Sequence, residues 1–215
     1  VDDWIDSLER LDWSNVQEMS TVTGDILRSM AANLGLVQSL LESLPQSEKL
    51  LSMCEHYDLL DKLVLFYNER YDYRLRLHVF LPGYFDRPHN HRWSYSSIVL
   101  RGSYKHFIYG RDEGLSDQVD VGSLQPVMVH QPRAGDVYTL HHSMIHSVIA
   151  EPYTVTLILR GPAQKDRFVV MDRLEKRAWW QYGMAQETAQ ERSGKVMTRD
   201  YFESVRAGLK DLLFS

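Results

Sequence analysis

Gly83-Tyr-Phe-Asp-Arg-Pro-His89-Asn-His91-Arg-Trp-Ser-Tyr95, closed by Gly102, is the stretch on which the reading of this chain turns. Residues two apart on a strand point to the same face, so an extended His89-Asn90-His91 aims two imidazoles at one point and turns Asn90 away. Neutral imidazole is the commonest protein ligand for divalent transition metals, and two of them on a rigid strand make half of a typical site. A third donor has to come from elsewhere in the chain.

Downstream, Gly135 is followed by His141, Ser143, His146 and Ala150. The run Pro132-Arg-Ala-Gly135-Asp136-Val before them has the composition of a turn feeding a strand. Together the two segments resemble the paired signatures of the cupin superfamily. In the first, the glycines and the His-x-His pair agree, and Tyr95 stands where a Glu is usual. In the second, Gly135 and His146 agree, whereas His141, Ser143 and Ala150 replace Pro, Gly and Asn. The resemblance implies a double-stranded β-helix (jelly-roll) barrel and a metal held by His89, His91 and His146. Adjacent strand residues face opposite ways, so at most one of His141 and His142 joins His146 if the segment is extended, with His142 the preferred neighbour. A helical segment would instead pair His142 with His146 at i and i+4.

The surroundings fit a mainly β fold with flanking helices. Trp4, Ile5, Leu8 and Leu11 recur at helical spacing, and Ser14-Asn-Val-Gln17 has the form of a capping box. A second apolar series runs from Ile26 to Leu44 and stops at Pro45. The segment from Ser47 to about Asn68, with Leu50, Leu51, Cys54, Leu59, Leu60, Leu63 and Leu65, reads as a further helix. The period then changes. Arg74-Leu-Arg-Leu-His-Val-Phe80 alternates polar and apolar, and short strands are expected at 96–100, 104–109, 127–130, 136–140 and 153–159. Turns such as Gly110-Arg-Asp-Glu-Gly114 suit an antiparallel sandwich or barrel. Thr198 can cap a last helix with Tyr201, Phe202, Val205, Leu209, Leu212 and Leu213 in one stripe. The expected organisation is an N-terminal helical region (1–70), a barrel (71–172) and a C-terminal helical segment (173–215) in one unit. Trp179-Trp180-Gln-Tyr182 is expected to pack between C-terminal helices and barrel, and 186–195 to form a mobile loop.

Within the superfamily, His89 through Gly102-Ser-Tyr-Lys and Thr156-Leu-Ile-Leu-Arg-Gly-Pro162 resemble the thiol dioxygenase branch. Some members carry a Cys cross-linked to a Tyr shortly after the histidine pair. Ser94, Ser96 and Ser97 stand there in this chain, so that cross-link is absent, and the branch's Ser-His-Tyr relay has no clear match. The resemblance implies Fe(II), with Zn, Mn, Ni or Cu as other ions that three imidazoles accept. Three neutral ligands leave open positions for a small substrate and dioxygen, and an acidic or amino-acid-like substrate would supply the anionic donor. Tyr95 is the candidate catalytic residue, either bonding a bound oxygen or packing against the wall. Arg76 and His78 share a strand face and are candidates to clamp a substrate carboxylate, as is Arg160. A metal-dependent isomerase or lyase without redox change, and a non-catalytic small-ligand-binding protein, are the alternatives.

Composition bounds the rest. A chain of 215 residues with 44% hydrophobic content can bury a sizeable core. A net charge of −5 without a basic patch argues against a nucleic-acid partner. No apolar run reaches membrane-spanning length, and no basic-then-apolar signal pattern opens the sequence. The lone Cys54 excludes an internal disulfide framework and suits a reducing, cytoplasmic setting. It sits in an apolar series, as a small core residue does. Relatives of the cupin kind often pair as homodimers, so a homodimer is the oligomer to test for.

Overall fold

Along Tyr73–Phe80 the side chains divide cleanly between two environments. Leu75, Leu77 and Val79 are buried in the main apolar core, while Arg74, Arg76 and His78 point the other way. The computed structural model describes residues 3–113, 120–183, 188, 190 and 193–214. Helices α1 (Asp3–Glu9), α2 (Val16–Ala32), α3 (Gly35–Ser43) and the single turn α4 (Glu48–Leu51) come first. Among the described residues eleven strands follow: β1 (Glu55–Tyr57), β2 (Leu60–Asn68), β3 (Tyr73–Phe80), β4 (Tyr95–Arg101), β5 (Tyr104–Arg111), β6 (Met128–His130), β7 (Val137–Leu140), β8 (Met144–Ala150), β9 (Thr154–Arg160), β10 (Arg167–Asp172) and β11 (Arg177–Tyr182). Helix α5 (Arg199–Leu213) comes last.

The strands form a six-stranded sheet in the order β1-β2-β3-β9-β4-β7, a three-stranded sheet β6-β5-β8, and a ribbon β10-β11. Every pairing is antiparallel. One face of the large sheet carries Leu63, Leu65, Leu75, Leu77, Ile98, Leu157 and Leu159 against Leu27, Met30, Val37, Leu41 and Phe202 of the helices. A polar latch crosses this layer, where Thr23 Oγ1 on α2 donates to Ser96 Oγ at 2.6 Å and Ser96 Oγ lies 2.6 Å from Thr139 Oγ1. The opposite face looks toward the three-stranded sheet and is the wall of the candidate site.

Among the described residues the two larger sheets remain separate ladders rather than the one closed barrel that the cupin resemblance implies. The edge strands β6 and β7 have three and four residues, too few to stitch a long seam. Gly102, the glycine closing the first signature, sits in the β4–β5 turn at φ +78°, and a Cβ there would lie 2.4 Å from Thr154 Oγ1. No larger residue fits without moving β9.

Several expectations are corrected. The helix expected over 47–68 is only α4, and the rest is the β1–β2 hairpin, turned at Asp58 with φ +21°. Its apolar side chains sit in an interior strand of the large sheet, where both faces are covered and simple alternation disappears. The cap of α2 is Asn15, which accepts from Glu18 N, while Ser14 donates its hydroxyl to Asp12. The second helical series breaks at Asn33 into α2 and α3. The aromatic cluster near 180 lies on β11, with Arg167 over Trp180 at 4.1 Å and Arg177 over Trp179 at 4.8 Å, in a strand where a C-terminal helical segment was expected. Strands β8 and β10 were not anticipated. Half of the 186–195 segment, and the Gly114 end of the Gly110–Gly114 turn, lie outside the described residues. Among the described residues no helix is long and apolar enough to cross a membrane.

Leu77 is fully buried between sheet and helices. Truncating it to alanine is expected to cost about 2–5 kcal/mol, read as a lowered urea midpoint with an unchanged slope.

Candidate metal centre

His89 and His91 precede β4 and do not belong to a regular strand, but the segment is extended and held from both sides. His89 bridges His146 on β8 through two backbone bonds of 2.9 and 2.8 Å. On its other side Met171 N donates to Pro88 O and Asn90 N to Val169 O, so β10 grips residues 88–90. The alternation expected for His-x-His therefore holds without a full strand. Asn90 is turned away and fully buried, donating to Asp112 Oδ2 at 2.6 Å and accepting from Val169 N at 2.9 Å.

The fold brings His89, His91 and His146 together, with one ring nitrogen from each lying within 4.8 Å of the others. His91 Nε2 and His146 Nε2 are 2.8 Å apart. Two imidazole nitrogens bound at right angles to one ion at ~2.1 Å would stand about 3 Å apart. His89 Nδ1 lies 2.8 Å from the Arg87 carbonyl. That nitrogen is thereby the N–H donor, and Nε2 is left for an ion. His146 Nδ1 lies 2.9 Å from His106 Nε2, which likewise leaves Nε2 facing the cluster. Burial, then the neighbouring histidines, hold His91 and His146 well below the usual imidazole value. They are neutral at physiological pH, the state a metal ligand requires. The donor set thus fits a divalent transition metal.

Tyr95, on β4, reaches the same point, its Oη 3.5 Å from His146 Nε2 and its ring 5.1 Å from that of His91. Burial, and then the phenols of Tyr138 and Tyr104, push its pKa far up, so it is a neutral hydroxyl donor. On the wall behind it, Tyr95 pairs with Arg160, Arg160 with Arg74, Thr156 with His78, and Ile158 with Arg76. This register puts Tyr95, Arg76, His78 and Thr156 on one face. Arg76 Nε, His78 Nε2 and Thr156 Oγ1 are buried there without a hydrogen-bond partner. The Arg76 guanidinium lies 5.6 Å from the Trp93 ring, which stacks on His91 at 5.8 Å. Lys62 lies opposite His78 on β2, its ammonium held down to about 8 mainly by burial.

Two sequence candidates are placed differently. Arg160 Nη1 donates to the carbonyls of Asp72 and Gly161, and Nη2 meets Asp72 Oδ1 at 3.2 Å, so this guanidinium ties the β2–β3 turn to β9. His142 lies in the turn before β8, its Nδ1 3.4 Å from Ser94 Oγ, outside the three-histidine cluster. Sequence reasoning turned Asn90 away but did not give its partners, and it missed Asp86, His106, His130 and Lys62. Asp86 accepts from Val148 N at 2.5 Å and from Tyr84 Oη at 3.3 Å, and so fastens the approach to His89 onto β8. Burial raises its carboxyl to about 6. Its position three residues before His89 was the one available signal. A surface cavity of about 440 Å³ is lined by Asp112, Lys165, Asp166, Arg167, Trp180 and Tyr182, none of them in the cluster.

No protein-family model and no curated protein matches the chain. Among solved structures it is similar to KdgF from Halomonas sp., at 18% identity and TM-score 0.38 over 49% of this chain and 82% of that one. It is also similar to an RmlC-like cupin from Shewanella frigidimarina, at 18% identity and TM-score 0.40 over 52% and 85%. A third is L-ribose isomerase from Cellulomonas parahominis, at 16% identity and TM-score 0.38 over 51% and 63%. The two segments that resemble the cupin signatures meet at three imidazoles, and together they make a histidine cluster able to bind a metal ion.

Replacing His91 by alanine is expected to abolish retention of metal, measured by elemental analysis, while Cys54→Ser leaves it unchanged. Acid stability follows from the neutral histidines. His106 falls to about 3 by burial and His78 is also held well below its usual value, first by burial and then by Lys62 and Arg76. Such groups bind protons more readily unfolded than folded. Their contribution is therefore fully present above about 6.5 and is lost as pH falls from there toward the folded values. The metal-free protein is expected to show urea midpoints that fall as pH is lowered below about 6.5.

Proposed function

We propose that this chain is a non-haem Fe(II)-dependent oxygenase acting on a small acidic or amino-acid-like molecule. His89, His91 and His146 hold the metal, and Zn, Mn, Ni or Cu are the other ions to which such ligands are open. The observation that carries the reading is the set of orphaned donors on the wall beside the cluster: Arg76 Nε, His78 Nε2 and Thr156 Oγ1. A buried donor without a partner costs about 1–3 kcal/mol, and fixed unpaired donors at the wall of a metal site are what a bound anion would satisfy. Lys62 adds positive charge on the neighbouring strand.

Bound Fe(II) supplies open positions for substrate and dioxygen together, and a centre for redox chemistry that no side chain here provides. The residues do the rest. Arg76 and His78 orient the acidic end of the substrate, and burial beneath the large sheet keeps water from competing for them. Trp93, between Arg76 and His91, fills the space linking that end to the reacting one. Tyr95 holds its proton at Oη and donates a hydrogen bond to an oxygen placed against the cluster. Arg160 acts through the turn it fastens and through Trp93, which it meets at 4.7 Å, and His142 acts through Ser94, beside Tyr95.

Anaerobically iron-loaded protein is expected to take up oxygen only with particular members of a panel of small carboxylic and amino acids. Arg76→Met is expected to keep its metal and raise KM by about 30-fold or more, the loss of a buried charged partner. Substrate turnover without oxygen uptake would contradict the oxygenase and favour an isomerase or lyase. Ligand-induced stabilisation with no turnover would favour a binding protein.

A further inference from the structure

We infer that His106 and His130 are positioning residues of the metal centre, forming with His146 a series of ring-to-ring hydrogen bonds that selects the nitrogen His146 presents to the ion. The inference rests on the metal-centre reading. The three residues occupy adjacent strands of the small sheet. His146 lies on β8, His106 on the central strand β5, and His130 on the edge strand β6 directly opposite His106. His146 Nδ1 is 2.9 Å from His106 Nε2, and His106 Nδ1 is 3.0 Å from His130 Nε2. His106 is fully buried, and its ring lies 5.0 Å from that of His146 and 4.8 Å from that of His130.

A neutral imidazole has one donor nitrogen and one acceptor nitrogen. If His146 gives the Nε2 lone pair to an ion, its proton sits on Nδ1 and is donated to His106 Nε2. His106 then carries its proton on Nδ1 and donates to His130 Nε2, leaving the His130 proton on Nδ1. One choice at the ion sets all three tautomers. The opposite polarity puts a proton on His146 Nε2 and closes that nitrogen to metal. The carbonyl of Arg87 makes the same selection for His89 by a shorter route. His106 accomplishes it for His146 because β5 has a ring, not a carbonyl, at that point of the wall. His130 in turn removes the freedom of His106 to flip.

The test uses zinc, which is diamagnetic, with wild type, His106→Leu and His106→Gln in chelator competition, and 15N long-range correlation spectra of the imidazoles. His106→Leu is expected to weaken zinc binding about 10- to 100-fold. His106→Gln, whose side-chain carbonyl can accept from His146 Nδ1, is expected to recover most of that loss. In zinc-loaded wild type the spectra are expected to show His106 protonated on Nδ1 and bare on Nε2. A folded His106→Leu protein with wild-type zinc affinity would overturn the inference while leaving the centre intact, and so would a His106 proton on Nε2 in the loaded wild type. A wild type that binds no zinc would overturn the centre and the series together. If the leucine variant does not fold, the wild-type tautomer spectrum decides alone.

Discussion

The pleat of the large sheet is the constraint on which the rest of the molecule depends. Because side chains alternate, β3 and β9 can give leucines to the helices and Arg76, His78 and Thr156 to the interior without a break in the ladder between them. A slip of one residue would exchange the two sets, burying guanidinium against Leu27 and Leu41 and exposing the core to the metal site. The apolar layer beneath the helices thus supplies stability and fixes register. It also holds polar residues at a place they would not occupy on solvation grounds alone.

That interior is costly. It contains neutral histidines, buried phenols, a lysine shifted to about 8 and donors that no protein atom satisfies. Folded proteins seldom leave such groups unpaired unless a function uses them. The three imidazoles are in a different position, since His89 and His146 already have partners for the nitrogens that face away from the cluster. Metal ligation and anion binding would each complete a set of bonds that the chain leaves open. The two sets are joined through Trp93, which lies against both Arg76 and His91.

What could be read from the sequence was what is local. His89-x-His91 was legible because two residues suffice to state a shared direction, and β3 was legible because it has one apolar and one polar face. Gly102 was legible as a punctuating glycine, though its reason, the approach of Thr154, is a long-range one. The stretch over 47–68 misled because an interior strand covered on both faces has lost the alternation that marks a strand. His146 was found by resemblance, but His106 and His130 were not, since their roles arise only when β8, β5 and β6 pair. Asp86 and the β10 partner of Asn90 escaped for the same reason, since Val148 lies on β8 and Val169 on β10. Arg160 has a cation's chemistry but also an acidic neighbour, Asp72, that only the fold reveals.

The account stands on three imidazoles meeting at one ion, and X-ray absorption at the metal edge of the iron- or zinc-loaded protein tests this most directly. We expect a first shell of nitrogen and oxygen at about 2.0–2.2 Å, with the multiple-scattering features of three imidazole rings and no sulfur. A shell holding one imidazole or none would mean that His89, His91 and His146 converge for another purpose, and it would contradict the metal centre.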